Sequence, residues 1–381
     1  MYRKRQNSLK NIVKMVKIMK EKMILNTESG HYAMVGGAIL GGGGGGSEEM
    51  GKSLLSKLAD FPELKLVSLD DIDDDAIILS ASLVGAPAAV EQYLEPKDMI
   101  RTVELFRESN PDVKLGGIMT NENGFCATVN GWVQAAATGL PFVDAQCNGR
   151  AHPTGVMGSM NLHKDPSFVT TMTFAGGNPA IARYVEGIVK GSIDHTATLV
   201  RAASAEAGGV VGVARNPVTA AHVRKNGAVN GISQSIELGR RYEEGLKTSV
   251  KAAVEAAVEY LDGNILICGK VDKYDIETRG GFDVGVLNIG GNELTFWNEY
   301  MTLTDKDGKR LATFPDLIMT IDAKTGRPMP TADIRKDEEV YIIYTDHSNL
   351  NLSPTMFDES LLAPIEGIVG RKILKYCEIR S

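Results

Sequence analysis

Cysteine is scarce: the 381 residues hold four, Cys126, Cys147, Cys268 and Cys377, and none is spaced to pair with another. That excludes a zinc knuckle and a disulfide framework, and it fits a reducing, cytoplasmic setting best. No apolar run is long enough to span a bilayer. Basic charge is short as well, since 48 acidic against 41 basic residues leave a net charge of −7. Nucleic acid and anionic membrane both need a basic face, so neither is an expected partner. Small metabolites remain. The 43% hydrophobic and 23% charged content is that of a globular chain, and 381 residues suffice for two domains with a sizeable core.

Residues 1–22 differ from the rest. Arg3, Lys4, Arg5, Lys10, Lys14, Lys17, Lys20 and Lys22 face a single acid, Glu21, and the lysines interrupt every apolar stretch, which a signal peptide does not tolerate. The segment reads as a basic helical extension or as translation from an upstream start, with the globular pattern beginning near Met23. Residues 23–170 then alternate helix and strand: helices at Thr27–Leu40, Met99–Glu108 and Thr128–Thr138, strands at Ala76–Leu83, Leu115–Met119 and Leu140–Val143. This predicts an α/β class with a mainly parallel layer and its loops gathered on one edge. Residues 171–381 read as a second domain, with helices at Pro179–Val189, Ala197–Ala207 and Ser233–Leu261. A compact β unit follows at Ile265–Val271, Phe282–Ile289, Glu293–Thr304, Leu317–Ile321 and Glu339–Tyr344. The acids from Asp70 to Asp75 lack the Gly and the closing Glu of a calcium loop and read as a solvated turn.

Gly41 to Gly46 is a run of six glycines with no side chains to pack, so its use is backbone freedom, as a linker or as a close approach to a ligand. Gly46 to Ser53 also spells a phosphate loop. Glu48 and Glu49 would repel a triphosphate, a helix stands where a buried strand is required, and no magnesium-binding Asp follows, so no nucleotide is expected.

The densest chemistry lies in Gly139 to Pro153. An apolar run stops at Asp144, as a buried parallel strand does where its carboxyl edge opens into a pocket, and Gln146, Cys147, Asn148, Arg150 and His152 follow. Glu122, before Gly124, is a second carboxylate candidate. Cys147 is a conceivable nucleophile, although nothing adjacent lowers a thiol pKa.

These segments resemble a known family, the S-methyl thiohydantoin desulfurases, often found beside hydantoinases. The resemblance rests on Gly41 to Gly46, Gly85-Ala86-Pro87, Glu122 with Gly124, Gly139-Leu140-Pro141, Val143-Asp144-Ala145, Gly149-Arg150-Ala151, Pro315-Asp316-Leu317-Ile318, Asp322 and Thr325-Gly326, and it covers nearly everything after Met23. The chain departs from the pattern at Gln146, His152, Thr154 and Phe125-Cys126-Ala127, which leaves the substrate and reaction of this branch open. The resemblance implies hydrolysis of a carbon–sulfur bond at an amidine-like ring carbon, with release of a thiol. Under it, Asp144 or Glu122 is the base or a ligand of a divalent metal such as zinc. His152 is a proton shuttle or metal ligand, and Arg150 with Asn148 holds the ring. Gly43, Gly44, Gly45, Gly46, Gly85, Ala86, Gly124, Cys147 and Gly149 line the substrate. A homo-oligomer and a working association with a hydantoinase are compatible with it. The reading from another class is a non-catalytic ligand-binding protein that assists such a hydantoinase.

Overall fold

The computed structural model describes residues 23–85, 91–279 and 282–379; the basic extension at 1–22 and the expected ligand contact Ala86 lie outside them. The chain opens with β1 (Met23–Leu25), α1 (Thr27–Gly41), α2 (Glu48–Leu58), β2 (Leu64–Val67), β3 (Ile77–Gly85), α3 (Pro96–Ser109), β4 (Leu115–Thr120), α4 (Phe125–Val129), α5 (Trp132–Thr138) and β5 (Phe142–Gln146). Local chemistry sets the ends of these elements. Asn26 and Ser29 exchange side-chain-to-backbone bonds of 2.8 and 2.9 Å at the start of α1, and Gly42 ends it in a left-handed turn at φ +65°. Ser47 then caps α2, its hydroxyl accepting from the Met50 amide at 3.2 Å with Glu48 and Glu49 in the first turn.

Strands β2, β5, β4 and β3 form a parallel core, with Leu66 and Ile118 both opposite Phe142 and Ile78 opposite Gly117. Antiparallel strands extend it. β1 adds to one side, and β8 (Val210–Thr219), β6 (Thr170–Gly176) and β7 (Val185–Gly191) add to the other, while the short β9 (Ala228–Val229) pairs with β5. The class is therefore α/β. Its largest core packs α1, α2, α3 and α5 on the sheet through Met34, Leu55, Phe106, Trp132 and Phe142.

The expected division after residue 170 cuts this sheet, which takes β6, β7, β8 and β9 from that point on. Val185-Glu-Gly-Ile-Val-Lys-Gly alternates partly buried with exposed positions as the outermost strand β7, where a helix was expected; only Pro179–Ile181 makes a single 3₁₀ turn. β7 leads into α6 (Ile193–Glu206), and β8 into α7 (Ala220–Asn226). The single helix expected over Ser233–Leu261 is two, α8 (Gly231–Leu246) and α9 (Val250–Tyr260), because Ser249 caps the second.

The second sheet is built from β10 (Asn264–Arg279), β11 (Phe282–Ile289), β12 (Asn292–Trp297), β13 (Glu299–Thr304), β14 (Arg310–Thr313), β15 (Leu317–Asp322) and β16 (Glu339–Thr345), and α10 (Glu359–Val369) packs beside it. It is antiparallel throughout, ordered β14-β13-β12-β11-β10-β16-β15. The strand expected over Glu293–Thr304 folds back on itself at Asn298, whose φ of +56° makes a tight hairpin between β12 and β13. The two sheets meet through the glycine segment. The Tyr300 amide donates to the Gly42 carbonyl and the Thr331 amide to the Gly43 carbonyl, both at 2.9 Å. Among the described residues no helix is long and apolar enough to cross a membrane.

Candidate active site

A cavity of about 570 Å³ opens where the carboxyl ends of β3 and β4 face the β12–β13 hairpin. Gly43 to Gly46 form one wall, with Gly85, Asn121, Glu122, His152, Arg215 and Glu299 around them. The glycines are there because backbone must touch backbone. Gly45 holds φ +92°, and a Cβ on it would overlap the Gly124 Cα and the Asn123 carbonyl; a Cβ on Gly44 would overlap the Glu299 carboxyl.

Glu122 sits in the turn that leaves β4 and stays 22% exposed, toward the cavity. Its Oε2 lies 3.1 Å from His152 Nε2. The other ring nitrogen of His152 donates to the Thr154 carbonyl at 2.6 Å, since a carbonyl can only accept, so the neutral ring presents a lone pair at Nε2. Asn121 Nδ2 donates to that lone pair at 3.0 Å, and the amide is oriented by Arg215 Nη2, which donates to Asn121 Oδ1 at 2.7 Å. Burial, with Arg215 adding to it, pulls the His152 pKa down to about 3, so the ring is uncharged. With that lone pair taken by Asn121, the uncharged ring offers no positive charge to stabilise a Glu122 carboxylate. Accordingly burial pushes the Glu122 pKa up to about 7, with Arg215 restraining the rise.

Glu299 is a second carboxyl of this kind. It is 3% exposed, its Oε2 has no partner, and burial first, then the charge of Glu122, raise its pKa well above the ordinary range. Both carboxyls beside the glycine wall thus favour the protonated form more than an exposed carboxyl does, and ionisation of one disfavours ionisation of the other, so the pair gives up its protons in separate steps. Such a pair can take a proton from water and return one to a leaving group. An adjoining recess of about 250 Å³ shares Glu122 and Asn121 and is walled by Met50, Leu83, Cys126 and Val210.

The S-Me-THD-like N-terminal domain model matches residues 31–183, and the S-Me-THD-like C-terminal domain model matches residues 192–357. The chain belongs to the S-methyl thiohydantoin desulfurase family. Membership is consistent with a role in thiohydantoin metabolism. The fold is also similar to a crystal structure of a protein from Chromobacterium violaceum, at 19% identity and a TM-score of 0.70, over 91% of this chain and 97% of that one. No curated protein matches the chain.

Of the residues that the family resemblance proposed, Gly43 to Gly46, Gly85, Glu122 and His152 line the cavity, and Gly124 backs Gly45. Asp144 does not. Its Oδ1 accepts from the Ile232 and Ser233 amides at 3.1 and 3.0 Å and its Oδ2 from the Ser233 hydroxyl, so it caps α8 from outside; burial raises its pKa while these bonds hold it down. Arg150 runs beneath Gly42 into the second sheet, donating to the Pro315 carbonyl at 2.9 Å and stacking on Phe314, with its pKa drawn down to about 10 by burial. Asn148 is fully buried, and its backbone carbonyl accepts from the Ser353 amide at 3.2 Å. Gly149 turns at φ +87° against Asn351. Cys147 is closed in against Ser80, Sγ to Oγ 3.1 Å, and burial raises its pKa to about 11, which leaves a protonated, unreactive thiol.

Asp144, His152 and Glu122 therefore do not converge as a metal-ligand set, and His152 Nε2 already receives the Asn121 amide. Among the described residues the one group of three potential ligands is Asp316, Asp346 and His347, none of which lines the cavity. Asn121, Arg215 and Glu299 were missed, and the last two left a trace in the sequence. Arg215-Asn216 interrupts the apolar run Val210 to Val218, and Asn298-Glu299 interrupts Phe296-Trp297 and Tyr300-Met301.

The capping role gives Asp144→Asn a defined outcome: turnover stays within about threefold of the parent chain and stability falls by roughly 1 kcal/mol, the scale of one weakened cap. Cys147→Ala keeps activity as well. Urea melts with rate measurements on both variants check this, and loss of turnover in a stably folded Asp144→Asn would return that carboxylate to the chemistry.

Proposed function

We propose that this chain hydrolyses a small cyclic amide of the thiohydantoin type, releasing a thiol from an S-methyl thiohydantoin. Water adds to the ring carbon that bears sulfur; Glu122 takes one proton of that water and passes it to the ring nitrogen of the opened carbon–nitrogen double bond. The carbon–sulfur bond then breaks as the ring carbonyl forms, the hydroxyl proton going to Glu122 while the departing methanethiolate takes a proton from Glu299. The products are the hydantoin and methanethiol, and return of the proton from Glu122 to Glu299 through cavity water restores both carboxyls, so atoms and charge balance. Charge that develops on the ring nitrogen faces Arg215 and the backbone amides of the glycine wall. The small recess beside Glu122, with its apolar and sulfur-bearing walls, suits the methylthio group. The observation that carries this reading is the pair of carboxyls, Glu122 partly exposed to the cavity and Glu299 buried, in the cavity that the glycine run lines, both held above the ordinary carboxyl range by burial.

The test is thiol release and hydantoin formation on incubation with S-methyl thiohydantoin. Binding of the ring without either product would favour the non-catalytic accessory protein instead.

The pH dependence follows from Glu122. Its base form is lost as pH falls through about 7, so kcat/KM is expected to rise about tenfold per pH unit below that value and to level above it. A profile measured from pH 5 to 9 that is flat, or that levels near pH 5, removes Glu122 from the base role.

A further inference from the structure

The first sheet ends, on one side, in a long and regular strand. Its other edge, β1, is three residues long, and in the second sheet β14 has four while the outer side of β15 is met at Ile321 by a bridge to Pro328. β7 is different. It runs for seven residues, Val185 to Gly191, in unbroken register with β6 and with neither bulge nor proline, and among the described residues no strand pairs with its outer side. A row of free backbone amides and carbonyls of that length takes up another strand unless a bulge, a proline or a cluster of charges prevents it. β7 instead carries apolar side chains at the edge: Ile188 is 40% exposed, and Tyr184 and Val169, which immediately precede β7 and β6, are 38% and 63% exposed.

The two charges of β7 make this edge complementary to itself. Glu186 and Lys190 stand two positions either side of Ile188, and alternation puts all three on one face. That face lies against α3, where Arg101 Nε donates to Glu186 at 2.9 Å and Lys190 Nζ donates to Asn110 Oδ1 at 3.3 Å. Arg101 thus holds the carboxylate in place, while Lys190 meets an amide and, among the described residues, no carboxylate. A second copy laid antiparallel, Ile188 opposite Ile188, sets Glu186 of each copy opposite Lys190 of the other, one pair on each side of an apolar centre. A slip of two residues in either direction loses both pairs. Continued one residue past the strand, the same register brings Tyr184 of one copy to Ser192 of the other, toward its exposed Val169. We propose that the chain forms a two-fold symmetric homodimer in which β7 pairs antiparallel with β7 of a second copy, centred on Ile188, so that the two nine-stranded sheets become one. An unrelated strand would have to carry the reverse order of charges by chance, whereas a second copy carries it by symmetry. The proposal is independent of the chemistry assigned to the cavity.

Analytical ultracentrifugation of the full chain and a symmetric cross-link test it. The parent chain, 41.0 kDa per copy, is expected to sediment as a dimer. Lys190→Glu replaces two attractive pairs by two repulsive ones and should weaken association about tenfold or more. Glu186→Lys should do the same, and mixing the two variants should restore a dimer, because each then meets the opposite charge on the other. The register is read with Ile188→Cys in a Cys268→Ser background, which removes the exposed native thiol. Two copies then face each other thiol to thiol across the axis, and oxidised glutathione should give a covalent dimer that a reducing agent reverses. Lys190→Cys in the same background should give none, since its own copy lies about 13 Å further along the strand. A monomeric parent chain overturns the proposal, as does a dimer that Lys190→Glu leaves equally tight. A dimer that Ile188→Cys fails to cross-link, or that Lys190→Cys cross-links as well, has its interface elsewhere and also overturns it. If Glu186→Lys fails to fold beside Arg101, the Lys190→Glu and cross-linking results decide alone.

Discussion

Glu122→Gln is expected to lower turnover about 10³-fold, within the range that general acid–base catalysis contributes, while making the folded chain more stable above neutral pH. The two effects come from one property. Glu122 titrates at about 7 in the folded chain against an ordinary value of 4.5, so folding favours its protonated form. Below about pH 4.5 the group is neutral in folded and unfolded chains alike and its preference for the folded state is fully present; that contribution is lost as pH rises through 7, where the buried carboxyl must ionise. At one pKa unit per about 1.4 kcal/mol the loss is on the order of 3 kcal/mol at most, less because the side chain keeps some contact with cavity water. Glutamine carries no charge at any pH. It is close to isosteric with glutamate and fits the place beside His152 that Glu122 holds at 3.1 Å. The variant should therefore fold like the parent at pH 5 and exceed it at pH 8, with thiol release nearly absent at both. Urea unfolding at the two pH values with parallel rate assays checks this. Equal stability at both pH values would show that Glu122 is an ordinary solvated carboxylate, and retained turnover would remove it from the reaction.

Placement of chemistry was legible where it depended on backbone and hidden where it depended on partners far along the chain. The glycine run and the Glu122 turn could be read because glycines without packing roles, and a carboxylate next to Gly124 after a buried strand, imply close approach on their own. Asp144 could not be read correctly. A carboxylate at the end of a buried strand looks the same whether it faces a cavity or caps a helix, and the amides of Ile232 and Ser233 that decide the matter lie almost ninety positions on. Arg150 and Cys147 share that ambiguity, since their burial comes from the second sheet and from β3. In the fold, the parallel core β2-β5-β4-β3 followed from strand and helix alternation. The antiparallel extension by β8, β6 and β7 did not, because Val185 to Gly191 has a period of two that its small, mixed residues make faint. Glu299 became a site residue only when the hairpin at Asn298 turned it back toward the glycine wall.

Gly45→Ala is the second large effect expected, and it falls on stability and activity together. The residue holds φ +92°, and a Cβ there would overlap the Gly124 Cα and the Asn123 carbonyl oxygen. Both obstacles are backbone, so no side chain can rotate away and the segment itself must shift. The left-handed conformation alone costs roughly 1–2 kcal/mol for an alanine, and overpacking against fixed neighbours adds about 1–3 kcal/mol. Gly308→Ala isolates the first contribution, because Gly308 holds a similar φ of +83° in the β13–β14 turn with nothing within 4 Å of a built Cβ. Gly308→Ala should lose roughly 1–2 kcal/mol and keep full activity, whereas Gly45→Ala should lose about 2–5 kcal/mol. Displacement of Gly45 also moves its carbonyl, which accepts from the Ala127 amide at 3.2 Å, and with it the wall between Glu122 and Glu299. Thiol release should fall at least 10²-fold in protein that is still folded at low temperature, since misplacement of about 1 Å can cost that much in rate. If urea midpoints and rates for Gly45→Ala match those of Gly308→Ala, the glycine run is a flexible connector and the wall of the cavity does not depend on it.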